Sequence, residues 1–148
     1  MGAAAAWGRL GVALAAVVAL DQATKALAVS AVDRGDSVNV FLGVDITNVR
    51  NTGVAFGAFS GAGTAIAVVS AVALAGLLVY FALNAGRRML WLPAGAILGG
   101  AIGNLIDRVR VGAVIDFIDP IAWPAFNLAD VAIVTGVLGL LYVAETAR

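Results

Sequence analysis

The sequence predicts an all-α integral membrane protein: four transmembrane helices, both termini in the cytoplasm, and a small extracytoplasmic β-sheet, or cradle, from the 33–60 connection. Three observations predict it. Of 148 residues, 62% are hydrophobic and 12% charged, against about 45–50% and about 25% in soluble domains. Mean hydropathy is +1.02. Four apolar runs also approach the roughly 20 residues that a helix needs to cross the hydrocarbon core.

The first span is predicted over 10–32, with the polar cluster DQATK (21–25) at its middle. Its apolar start could pass for a signal peptide, but Asp21, Gln22 and Lys25 interrupt it, so it reads as a retained helix. The connection 33–60 is too long to be structureless. Its segment SVNVFLGVDITNV alternates partially, is rich in Val, Ile and Thr, and reads as a hairpin on the outer membrane surface. The second span, 61–83, carries no charge, and the third, 89–106, is glycine-rich as close helix packing in membranes favours. A second connection, 108–124, holds a strand-like run, VGAVIDFIDP, and the fourth span follows over 125–144. One domain, 1–148, is expected.

Orientation follows from the basic residues of short loops. Arg9, Arg87, Arg88 and Arg148 would lie inside. Arg34, Arg50, Arg108 and Arg110 would lie outside, where Asp33, Asp36, Asp45, Asp116 and Asp119 accompany them.

Absences narrow the chemistry. There is no cysteine and no histidine, which excludes thiol nucleophiles, Ser-His-Asp triads and the HExxH metal helix. Nine basic and nine acidic residues cancel, so nothing suggests nucleic acid as a partner. No metal or other cofactor is expected. A Ser-Lys arrangement through Lys25, the single lysine, lacks a suitable serine, because Ser30 is five residues along the same helix.

The unusual polar residues gather near the outer ends of the spans. Asn51 precedes span two. Asn104, Asp107 and Arg108 share one face of span three, and Asn127 and Asp130 one face of span four. Asp116 lies in the second connection. Structural roles compete: Asp21 with Lys25 as a helix ion pair, Asp107 with Arg108 as a helix-end pair, glycines such as Gly103 as packing. Asp130 has no basic residue within a helical turn, and an ionisable group in a span costs about 2.5–3.5 kcal/mol on insertion scales. Asp116 and Asp130 together fit an aspartic hydrolase, in which two carboxyls share a site and one pKa rises. A rival reading is a small ion-coupled membrane transporter with Asp21, Lys25 and Asp130 as a polar relay.

Four ordered blocks, DQATK (21–25), NTGVAFG (51–57), GGAIGNLIDRVRVGAVIDFID (99–119) and FNLADVAIVTG (126–136), span nearly the whole chain. Through them it resembles the bacterial lipoprotein signal peptidases, or type II signal peptidases. The resemblance implies an aspartic endopeptidase of the bacterial cytoplasmic (inner) membrane, multi-pass, with its active site at the extracytoplasmic face. It would remove signal peptides from prolipoproteins by cutting before a diacylglyceryl-modified cysteine, without a cofactor. The catalytic pair falls on Asp116 and Asp130, and supporting positions on Asn51, Gly103, Asn104, Asp107, Arg108 and Asn127, with Asp21 and Lys25 as a structural polar pair. The expected partners are diacylglyceryl-prolipoproteins and membrane lipids, and the expected state is a monomer.

Overall fold

The structure, a computed structural model, describes residues 2–53 and 63–146. The end of NTGVAFG, the first two residues of the second predicted span and Arg148 lie outside the described residues. Among the described residues four helices form: α1 (Ala3–Ala31), α2 (Gly63–Asn84), α3 (Trp91–Val111) and α4 (Leu128–Thr146). Among the described residues α1 and α4 are long and apolar enough to cross a membrane. α2 contributes the shorter apolar stretch Val69–Asn84, and α3 ends in charge.

The helix bounds differ from the sequence reading for identifiable reasons. α1 starts seven residues early, because the AAAAW run before Arg9 is strongly helix-forming. This places DQATK toward the sheet end of a 29-residue helix rather than at its middle. α3 continues past 106 through Asp107, Arg108 and Arg110, since charge does not stop a helix. It stops at Gly112, in the left-handed region at φ 75°, whose N–H donates to Arg108 O at 3.1 Å. Arg108 and Arg110 in that last turn complement the negative helix end. α4 begins at 128, because Asn127 caps it.

The sheet has three antiparallel strands in the order β1 (Ser37–Phe41), β2 (Val44–Asn51), β3 (Val114–Pro120). Among the described residues the 33–60 connection supplies two of them, as a hairpin turning at Leu42 and Gly43. The strand-like run of the second outer connection supplies the third. Register places Val49 opposite Asp116, Arg50 opposite Ile115 and Asn51 opposite Val114. Asn51 and Asp116, 65 residues apart in sequence, thereby become neighbours.

α3 is the central helix, packed on one side by α1 and on the other by α4. Close approach depends on absent side chains. A Cβ at Gly99 would stand 2.8 Å from Val17 Cβ and 2.9 Å from the Leu14 carbonyl of α1. Away from the sheet, Ala6, Leu10, Phe81, Leu90, Ala94 and Leu98 make an apolar core. Trp7 meets Phe81 edge to face there, centroids 4.8 Å apart.

Candidate active site

At the sheet end of the bundle the polar residues form one connected cluster. Its centre is the N-terminus of α4. Asn127 is the cap: its Oδ1 accepts the Asp130 N–H at 3.0 Å, while its own N–H donates to Asp130 Oδ2 at 3.3 Å. That reciprocal pair is a capping box, in which two otherwise unpaired helix donors satisfy each other's residues. The Asp130 carboxylate therefore sits in the first turn of α4, where the helix dipole favours negative charge. Its Oδ1 accepts Asn104 Nδ2 at 2.9 Å. The carboxylate that looked too costly in a membrane span is held by a helix terminus and two amides.

Asp116 reaches the same point from β3. Asn127 Nδ2 donates to its Oδ1 at 2.7 Å and Asn51 Nδ2 to its Oδ2 at 3.0 Å. Asn127 thus bonds both carboxylates, Asp116 through its side chain and Asp130 through its main chain. Asp116 is buried. Burial and the neighbouring Asp130 charge push its carboxyl up to about 6 from 3.8, although the bonds from Asn51 and Asn127 and the charge on Lys25 act the other way.

Beneath this pair lies an ion cluster. Lys25 Nζ stands 2.8 Å from Asp21 Oδ2, 2.7 Å from Asp107 Oδ2 and 3.0 Å from Asn104 Oδ1, all four residues being buried. All three ammonium protons have an acceptor. The expected Asp107–Arg108 pair does not form. Asp107 points into the bundle toward Lys25, whereas Arg108 is exposed and reaches the Asn104 carbonyl, at 3.5 Å. The two side chains diverge because adjacent helical residues project about 100° apart.

The ion cluster holds the pair above it in place. Asn104 accepts from Lys25 and donates to Asp130. Asp107 Oδ2 accepts the Ile115 N–H at 3.1 Å, fixing β3 one residue before Asp116. Asp21 Oδ1 accepts the Ala129 N–H at 3.0 Å, satisfying another donor of the α4 terminus. Gln22, which the sequence reading left out of the site, bridges both lower carboxylates: its Nε2 lies 3.1 Å from Asp21 Oδ2 and 3.0 Å from Asp107 Oδ1. Only its place inside DQATK pointed to it. Gly103 is where α3 lets Asp21 in, since a Cβ there would lie 2.6 Å from Asp21 Oδ2. Gly103→Ala should displace Asp21 from Lys25 and lower stability by about 1–3 kcal/mol, the usual overpacking range. Thermal unfolding in detergent checks this, and a wild-type midpoint would contradict it.

Residues 13–145 match the family described as signal peptidase (SPase) II. The chain belongs to that family. It is therefore a peptidase, and signal peptidase II is a bacterial membrane enzyme. The lipoprotein signal peptidase of Halothermothrix orenii is 40% identical over 121 residues, covering 81% of this chain and 83% of its own. That of Pelotomaculum thermopropionicum is 42% identical over 125 residues, covering 83% and 82%. A solved bacterial membrane enzyme superposes with a TM-score of 0.83 at 32% identity, over 94% of this signal peptidase II chain and 88% of the other.

Proposed function

We propose that Asp116 and Asp130 are the catalytic pair of an aspartic signal peptidase that cleaves prolipoproteins before a diacylglyceryl-modified cysteine. The observation that carries this reading is the convergence of the two carboxylates on Asn127 at one end of the bundle. The environments divide their roles. Asp130, at a helix N-terminus, is the ionised base. Asp116, buried on a strand and pushed up to about 6, holds the shared proton. Asp130 takes a proton from water as the water oxygen attacks the scissile carbonyl carbon, and Asp116 gives its proton to the carbonyl oxygen. On collapse of the gem-diol, Asp116 recovers that proton, Asp130 protonates the departing nitrogen, and the C–N bond breaks. The products are a signal-peptide carboxylate and a free amino group on the lipidated cysteine. Purified protein with a diacylated prolipoprotein should give the corresponding mass loss. No cleavage in the presence of bound substrate would overturn the reading.

The pH dependence follows from the sign of the shift. Above about 6 the free enzyme loses the Asp116 proton, so kcat/KM should fall as pH rises through that value, since it reports groups of the free enzyme. A kcat/KM profile flat from pH 5 to about 8 would contradict this assignment.

All four helices are read as spans of a single domain, N-in and C-in, in the inner membrane, with the sheet and the carboxylates outside and the protein acting as a monomer. Span three's charged end then lies at the outer interface, and Arg87 and Arg88 lie inside. A cysteine at Ser37 should react with impermeant maleimide in intact cells, and one at Asn84 should not. The reverse pattern would refute the orientation. The transporter reading finds less support, because Asp21 and Lys25 are locked with Asp107 rather than arrayed along a path.

A further inference from the structure

β3 lies across the end of the bundle. Near its start it is tied to α3 by the Ile115 N–H to Asp107 bond, and at Ile118 by two 2.9 Å main-chain bonds to Phe126, one residue before the α4 cap. Its far end continues beyond these two ties to the helix ends. Ile121 lies about 10 Å beyond Ile118 at the rise of a strand. There the Ile121 N–H donates to Gly43 O at 2.9 Å, joining the turn after β3 to the turn of the β1–β2 hairpin. The joined turns are apolar and open: Leu42 is 88% exposed, Ile121 91%, Phe41 69% and Trp123 64%.

Turns that face water are normally built from polar residues and glycine, and an exposed apolar cluster of this kind marks a contact with something apolar. Neither 35–49 nor 111–126 contains a lysine or arginine. Asp45 and Asp119 instead stand opposite each other at the base of the cluster. Carboxylates are costly in hydrocarbon, so this pair marks the water side of the cluster, and only the apolar tips beyond it suit the uncharged glycerol and acyl level. Tryptophan is enriched at that level, where its ring sits between water and hydrocarbon.

We propose that Phe41, Leu42, Ile121 and Trp123 form a wedge that dips into the outer leaflet and holds β3, with Asp116, at the depth of the membrane interface. This rests on the four-span reading. A peptidase acting beside a diacylglyceryl group must keep its carboxylates at that depth while the sheet edges remain above, and the wedge supplies the constraint from the side remote from the helices.

The chain has three tryptophans, so Trp7→Phe with Trp91→Phe leaves Trp123 as the sole indole. In phosphatidylcholine vesicles its emission should be blue-shifted, quenched by lipids brominated near the top of the acyl chain, and weakly quenched by aqueous iodide. Adding Leu42→Asp and Ile121→Asp should shift the emission to the red and slow cleavage several-fold in vesicles but not in detergent. Strong iodide quenching without lipid quenching would overturn the proposal. Protection from both would also overturn it, pointing to a second copy or bound peptide as the cover. Cleavage measured on the same vesicles reads the peptidase assignment separately: activity with a water-exposed Trp123 removes the wedge alone, and a lipid-quenched Trp123 without activity removes the peptidase alone.

Discussion

Asp116→Asn and Asp130→Asn should each lower kcat by at least about 10²–10⁴-fold, the range a positioned general acid or base supplies. Both changes are nearly isosteric, so the fold should survive. Each Asn keeps one acceptor oxygen, so at 130 it can still accept from either Asn127 or Asn104, and at 116 from either Asn51 or Asn127, with one bond lost at each position. Substrate binding should therefore persist while turnover disappears. The double variant should be no worse than either single one, because acid and base act on one transition state. Single-turnover cleavage, measured beside substrate binding, checks this. Appreciable turnover by either variant would refute the assignment.

Lys25→Ala should have the largest effect on stability. It leaves Asp21 and Asp107 as two buried carboxylates without a cation, and breaking a buried pair from one side typically costs about 3–5 kcal/mol. From sequence alone, Asp21→Asn with Lys25→Gln should recover part of that stability, because no lone charge remains. The structure shows otherwise: Asp107 shares the lysine at 2.7 Å, and the double change would strand it. Rescue requires the triple change Asp21→Asn, Lys25→Gln, Asp107→Asn. Thermal unfolding in detergent should rank wild type above the triple variant, and the triple variant above Lys25→Ala. If Lys25→Ala unfolds like wild type, the cluster is not the structural base proposed here.

What the sequence made legible was local. Apolar runs located the helices, Val- and Ile-rich alternation the strands, and the ordered motifs Asp116 and Asp130. What it hid was long-range. Nothing in periodicity links Lys25 to Asp107, 82 positions away, or the α4 terminus to Asp21 in α1. Asp107 beside Arg108 is a plausible pair on a linear reading, and only packing of α3 against α1 turns the carboxylate inward. The overrun of α3 had a visible signal in Gly112, a stronger stop than the charges before it. Gln22 had none beyond its neighbours.

The bond from the Ala129 N–H to Asp21 Oδ1 joins the last helix to the first, and this bears on how the enzyme is born. α1 enters the membrane carrying Asp21 and Lys25 one turn apart, so each has a partner from the start. Asp107 and Asn104 arrive with α3, and Asp130, the proposed base, only with α4. If Asp116 and Asp130 are the catalytic pair proposed above, a half-made chain in the translocation machinery lacks that pair and cannot cut the precursors that pass beside it. On that assignment, proteolytic competence is deferred to the final act of assembly.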